Sequence, residues 1–303
     1  MAGTSHARAI ALTGLGAIFA ACSPADPGLS SQSQTAERME ASLTEAWVLD
    51  GFDAPESVIW TGDGDHYYVS NVGGDGTARD NNGYISVITS AGKWVDRRWV
   101  SGTDDLPLNA PKGMAIWDGT LYVTDIDHLV MIDIASADVT SRIPVQGAKF
   151  LNDVSASGQG IFVTDSGNAM ILKLEGNVVV PWMTDEMFGG INGLLPQADR
   201  LLVTTMSEGH LLSVNWGTKA ITQLATGMDN ADGVNQQDDG RFVISSWPGV
   251  IWRVRENEAP TILLDTRAET RDASIAMNDV LLHEGMVLAP NWFPGTVRAY
   301  RLE

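Results

Sequence analysis

The feature that most constrains this chain is a repeat. In each unit a polar residue opens a short apolar strand, a turn follows, and a second apolar strand ends in Thr, Ser or Asp. Lys112-Gly113-Met114-Ala115 leads to Leu121-Tyr122-Val123-Thr124-Asp125, and Asn152-Asp153-Val154 leads to Ile161-Phe162-Val163-Thr164-Asp165. Asn192-Gly193-Leu194 leads to Leu201-Leu202-Val203-Thr204, and Asp232-Gly233-Val234 to Arg241-Phe242-Val243-Ile244-Ser245. The four opening residues stand 40 apart. Looser units flank them, with Glu56 lying 56 residues before Lys112 and Asn278 lying 46 after Asp232. Short strands between Gly, Asp and Asn turns, at a period near 40 and without a sustained helical period, predict an all-β, six-bladed β-propeller. An open β-solenoid or a sandwich is the alternative; solenoid coils are usually shorter, and sandwiches lack this regularity.

The last unit has room for three strands, near 279–283, 286–290 and 296–302. Its fourth strand is expected from the chain start, near Trp47-Val48-Leu49, which closes the ring and removes its free edges. The propeller is expected over 47–303. The residues opening the six inner strands, Glu56, Lys112, Asn152, Asn192, Asp232 and Asn278, then meet at one mouth of the central channel. Two carboxylates and three amides converging on an axis suit a hard cation. The alternative is that they cap strands and bond channel water. His6, His66, His128, His210 and His283 show no zinc-ligand spacing, so all-oxygen ligation points to Ca2+ first, then Mg2+ or Mn2+. Lys112 is the awkward member, placed either to repel the cation or to pair with a carboxylate.

The second strand of each unit returns to this mouth. The loops that follow it therefore surround the site: Asn71–Gly83, Asp125–His128, Ser207–Gly209, Ser246–Gly249 and Asn291–Pro294. The first is the longest, either a mobile cap or a solvated loop. Trp247 and Trp292 either stack on a ligand or pack the blade tops.

The N-terminus reads as a targeting segment. A weakly basic start, His6 and Arg8, precedes a small-residue apolar run from Ala9 to Ala21, too short to span a bilayer. The run ends Phe19-Ala20-Ala21-Cys22, with the only cysteine of the chain. This ending is similar to a bacterial lipobox, which predicts a signal peptide over 1–21, lipidation of Cys22 and a flexible Ser/Ala/Gln/Thr/Glu-rich tether over 22–46. An ordinary Ala-x-Ala signal with an incidental cysteine is the alternative. Ser23 after the cysteine, by analogy with lipoprotein sorting, places the protein in the bacterial cell envelope, at the outer membrane facing the periplasm. The membrane is thus an expected partner through the lipid. The full chain carries a net charge of −19, and loss of Arg8 makes the mature form one unit more negative. Such acidity argues against nucleic-acid binding. One cysteine permits no internal disulfide, and a lone propeller is expected to be monomeric.

The anchors and their strands resemble the senescence marker protein / gluconolactonase / luciferin-regenerating enzyme family of six-bladed propellers over about residues 47–302. In that family a Glu near the start of blade one, an Asn opening a middle blade and an Asp opening the next hold one divalent metal. Glu56 in Pro55-Glu56-Ser57-Val58-Ile59-Trp60, Asn192 in Asn192-Gly193-Leu194 and Asp232 in Asp232-Gly233-Val234 match these. Asn152 matches an Asn contacting substrate or metal, and Asn278 completes the ring as a second substrate contact. The more distant paraoxonase-type lactonases also place Asn-Asp where Asn152-Asp153 stands, but their histidine pair is absent.

The resemblance implies metal-dependent hydrolysis of a lactone or related ester. Asp232 would both ligate and act as base, and Lys112 would steady the developing oxyanion. No Gly-x-Ser-x-Gly, His-Glu-x-x-His or phosphate-loop motif offers another chemistry. Two other readings stay open: a non-catalytic, lipid-tethered propeller that binds a small molecule or a protein at this face, and an envelope assembly scaffold, which would carry an exposed apolar patch.

Overall fold

A computed structural model describes residues 42–267 and 276–303. The expected signal peptide, Cys22 and most of the expected tether lie outside these residues. The described residues fall within a compact unit running from Glu40 to Glu303.

The second blade shows how a unit is built. β6 (Pro111–Trp117), β7 (Thr120–Asp125), β8 (His128–Asp133) and β9 (Asp138–Pro144) form an antiparallel sheet in sequence order. β6 and β7 are joined by Asp118-Gly119, both at positive φ (48° and 74°), which suits the tight turn of a two-residue hairpin. Blade one repeats the pattern with β2 (Pro55–Trp60), β3 (His66–Asn71), β4 (Tyr84–Thr89) and β5 (Trp94–Ser101). Blade three is β10 (Leu151–Ser157), β11 (Gly160–Asp165), β12 (Met170–Glu175) and β13 (Val178–Thr184). Blade four is β14 (Ile191–Pro196), β15 (Arg200–Thr205), β16 (His210–Asn215) and β17 (Ile221–Ala225). Blade five is β18 (Ala231–Gln236), β19 (Phe242–Ser246), β20 (Val250–Val254) and β21 (Thr261–Asp265).

Blade six closes the ring. β24 (Met286–Phe293) pairs with β25 (Thr296–Leu302), and β25 pairs with the N-terminal β1 (Leu43–Asp50), from Leu43 against Leu302 to Asp50 against Thr296. The closing strand is where the sequence places it, and it starts earlier, at Leu43 instead of Trp47. The inner strand of this blade is split into β22 (Ala276–Met277) and β23 (Leu281–His283), both paired to β24. The chain is therefore a six-bladed β-propeller.

The core lies between blades. Tyr68, Ile85 and Val100 of blade one pack with Met114, Leu121 and Val130 of blade two. Val58, Val69 and Ile88 of blade one pack with Leu288, Val297 and Ala299 of blade six, so the ring seam is as apolar as any other. Among the described residues no helix is long and apolar enough to cross a membrane.

A β-bulge opens each of the first five inner strands. The register shifts between Pro55 and Val58, Pro111 and Met114, Leu151 and Val154, Ile191 and Leu194, and Ala231 and Val234. A bulge breaks the ladder, and a buried N–H left without a partner is costly. Hydroxyls ending the second strands supply the partner. Ser57 N donates to Ser70 Oγ (2.9 Å), Asp153 N to Thr164 Oγ1 (2.8 Å), Gly193 N to Thr204 Oγ1 (2.8 Å) and Gly233 N to Ser245 Oγ (2.9 Å). Thr204 Oγ1 also donates to the Asp232 carbonyl, and Thr124 Oγ1 to the Asn152 carbonyl, tying one blade to the next. The acid after that hydroxyl caps the loop entering the same blade: Asp125 accepts from Asn109 N and Ala110 N, and Asp165 from Lys149 N and Phe150 N. This is why the second strands end in Thr, Ser or Asp.

Thr204→Val removes a buried hydroxyl that both accepts and donates. It is expected to cost about 2–4 kcal/mol in urea unfolding, against about 1 kcal/mol for Thr204→Ser. Equal losses from the two substitutions would show that the hydroxyl is not what holds the bulge.

Candidate functional site

The bulges set up the mouth of the channel. Glu56, Lys112, Asn152, Asn192 and Asp232 are each the second residue of their inner strand, and Asn278 follows β22 directly. All six are buried, Lys112 the most at 2% exposure. Glu56, Asn152, Asn192 and Asp232 line one cavity with Asp153, Asp279, Gly113 and Gly193. It measures about 10 Å³, room for about one water or ion.

The ring divides into two groups. Lys112 and Asn278 are held by the protein itself. Lys112 Nζ donates to Gly76 O (3.0 Å) and Ala110 O (3.1 Å) and stands 4.7 Å from the Phe150 ring centroid. Asn278 Nδ2 donates to Pro55 O (3.0 Å). The other four are not tied in this way. Among the described residues no hydrogen bond reaches the side chains of Glu56, Asn152 or Asp232, and Asn192 Nδ2 finds only the Met206 sulfur at 3.4 Å. Their polar atoms open onto the cavity, so the partner that the protein does not supply would be water or a ligand placed there. Two carboxylates and two amide oxygens are donors that a hard divalent cation accepts. Among the described residues no three His, Cys, Asp or Glu are gathered closely enough to hold a metal by themselves. A cation here would depend on the amides of Asn152 and Asn192.

Asp153 and Asp279 were not singled out from the sequence. Each follows an Asn in the same Asn-Asp-Val string, and each is inside the cavity wall. That string, recurring in blades three and six where blades two, four and five carry Gly and blade one Ser57, was the available signal. With them the axis holds four carboxylates. Burial raises Glu56, Asp153 and Asp232 well above the usual carboxylate range, and repulsion from neighbouring acids, Asp279 among them in all three cases, adds to it. Burial also lifts Asp279, to about 6, against the lowering effect of its bonds from Ser57 and Val280 N. Lys112 is pushed down by burial and pulled back chiefly by Glu56. Burial and crowding thus favour the neutral carboxyls while the cavity holds no positive charge, and a cation placed there would favour their ionised forms.

The loop between β3 and β4, residues 72–83, lies against this mouth. Its Gly76 carbonyl holds Lys112, and Gly76 packs against the Trp292 ring. Arg79 makes a two-pronged ion pair with Asp127 (2.9 and 2.8 Å), and Asp127 also meets His128 Nδ1 at 2.7 Å. Asn81 Oδ1 accepts from Leu108 N (2.9 Å). Trp292 packs with Val72 and Ile126 at the loop's root, which is a packing role. Of the remaining histidines, His283 stacks on Trp60 and bonds Tyr67, away from the ring.

No protein-family model matches the sequence, and no curated protein matches it. Solved structures do match the fold. A gluconolactonase from Xanthomonas campestris superposes with a TM-score of 0.64 at 13% identity, covering 84% of this chain and 88% of that one. A virginiamycin B lyase from Staphylococcus aureus superposes at 0.62 with 11% identity, covering 87% and 100%. The β-propeller domain of Swd1 from Myceliophteria thermophila superposes at 0.53 with 9% identity, covering 86% and 100%. At such identities the likeness establishes the propeller architecture.

The raised carboxylates predict a pH dependence in chelator. A carboxyl with a folded pKa of about 6 against about 4 unfolded stabilises the fold in its protonated form. That stability is full below pH ~4 and is lost as pH rises through about 6. The melting temperature in chelator is expected to fall across this window, and Asp279→Asn to flatten the fall. A profile rising across it would contradict the buried, mutually repelling arrangement.

Proposed function

We propose that this propeller is a hydrolase of lactones or related esters that uses one divalent cation, calcium first, at the mouth of its channel. The observation that carries the proposal is the set of four buried polar side chains, Glu56, Asn152, Asn192 and Asp232, that share a cavity and have no adequate protein partner. Glu56, Asn192 and Asp232 would hold the cation, with Asn152 on its open side. A bound divalent ion supplies polarisation of a carbonyl and a lowered pKa for water.

The chain's own groups do the rest. Asp232, its carboxylate free of hydrogen bonds from described residues, takes the proton from the attacking water. Lys112 spends two N–H groups on Gly76 O and Ala110 O, and its third is available for the oxyanion. Asn152 and Asn278 orient the substrate. The cavity admits only a water or an ion, so the substrate sits above it, in space that the 72–83 loop must yield.

A second reading, a propeller that holds an ion without turnover, is favoured by the size of that cavity and by the carbonyls on Lys112. The scaffold reading finds less support. Among the described residues the exposed large apolar side chains are spread over five blades: Trp60 and Val95 on blade one, Trp117 on two, Val178 on three, Ile262 on five, and Val48 and Phe293 on six.

Hydrolysis of an aldonolactone with and without calcium separates the first two readings. Calcium-dependent turnover is expected, with Asp232→Ala lowering kcat by about 10²-fold or more. Turnover by that variant equal to the parent's would end the assignment of Asp232. Export and lipidation at Cys22 belong to the same proposal. Mass spectrometry of protein from a bacterial envelope is expected to find an acylated N-terminal Cys22, and an unmodified or differently cleaved N-terminus would refute it.

A further inference from the structure

We propose that Asp153 and Asp279 are positioning residues, a matched pair of cross-blade carboxylates that hold the inner strands of Asn192 and Glu56 at the axis. The inference rests on the reading of Glu56, Asn192 and Asp232 as a cation site and deepens it.

The two acids are bonded in parallel ways. Blades three and six stand opposite each other in a ring of six. In both, one carboxylate oxygen turns back onto its own strand: Asp153 Oδ1 accepts from Val154 N and Asp279 Oδ1 from Val280 N, each at 2.7 Å. The second oxygen crosses to the next blade. Asp153 Oδ2 accepts from Leu194 N in blade four (2.7 Å), and Asp279 Oδ2 accepts from Ser57 Oγ in blade one (2.7 Å).

Both carboxylates also need a glycine on the preceding blade. A Cβ on Gly113 would overlap Asp153 Oδ1, and a Cβ on Gly233 would overlap Asp279 Oδ1. Each acid is therefore clamped between two blades. The strands it reaches carry the proposed ligands, since Leu194 is two residues past Asn192 and Ser57 adjoins Glu56. Charge-assisted bonds of this kind are strong and geometrically specific. Groups that orient ligands in this way change metal affinity by about 10–100-fold when lost.

The one difference between the pair supplies the test. Asp153 accepts from two backbone N–H groups, so an amide there must set a donor against a donor. Asp279 accepts from one N–H and one hydroxyl, and a hydroxyl can turn to accept from an amide. D153N and D279N each replace a buried carboxyl of the same cavity by an amide of the same shape, so their effects on the size of the site are shared. Calorimetric titration of calcium into the chelated full chain is expected to show D153N binding at least tenfold more weakly than D279N. Equal affinities for the two variants would overturn the proposal.

Amide hydrogen exchange provides a readout independent of the cation. Leu194 N–H is expected to exchange at least tenfold faster in D153N than in D279N, and equal rates would likewise overturn the proposal. If the parent binds no calcium, the cation reading fails and the exchange rates still decide the positioning role. If D153N is recovered unfolded, S57A carries the test. Deleting that single hydroxyl is expected to weaken calcium binding about tenfold and to speed exchange of the Ser57-to-Val58 backbone, and parental behaviour in both would sink the idea.

Discussion

The axis of this protein depends on a break in hydrogen bonding at the head of its inner strands. A regular ladder would run each strand straight into its loop. Instead a bulge frees one residue per blade, and a hydroxyl from the neighbouring strand takes the freed N–H in blades one, three, four and five. Bulges re-aim side chains, and here they gather a polar ring at the channel mouth. The apolar seams between blades then make the ring rigid. Each seam combines residues from two sheets, including the seam that joins the first blade to the last.

That rigidity has an electrostatic consequence. Four carboxyl groups are buried around a cavity of about 10 Å³, and the buried Lys112 ammonium lies outside its wall. Water cannot enter in quantity to screen them, so each acid resists ionisation and raises the others. Asp153 and Asp279 are compensated by hydrogen bonds, and Lys112 by carbonyls and Glu56. Glu56 keeps only the attraction of Lys112 and Asn192 only the Met206 sulfur, while the side chains of Asn152 and Asp232 have no hydrogen-bond partner among the described residues. Four polar side chains turned onto one small cavity, none of them well bonded by the protein, resemble a site made for a positive ligand more than a channel filled for stability.

Much of this was legible in the residues. The 40-residue spacing of four units, with a looser unit before and after them, made the number of blades legible, because each blade needs a similar length of chain for its four strands. The closing strand was legible because the last unit lacks one. The ring members were legible because a polar residue opening an apolar strand is out of pattern. Asp153 and Asp279 were not, since a bonded carboxylate beside an Asn reads like any turn residue until its partner on the next blade is known. The start of β1 at Leu43 was hidden by the polar Thr44 and Glu45, which suit an outermost strand facing water as well as they suit a tether. The tie between Lys112 and the Gly76 carbonyl was beyond reach, because it joins an inner strand to a loop of the preceding blade by a backbone atom.

The central claim is that the axial ring holds one divalent cation. Metal analysis of the purified full chain, paired with thermal melts in chelator and after calcium is restored, tests it most directly. The account predicts about one calcium per chain, a melting temperature that falls on chelation, and recovery on readdition. No bound divalent ion, with melts indifferent to chelator and to calcium, would contradict it and leave Glu56, Asn192 and Asp232 as holders of channel water.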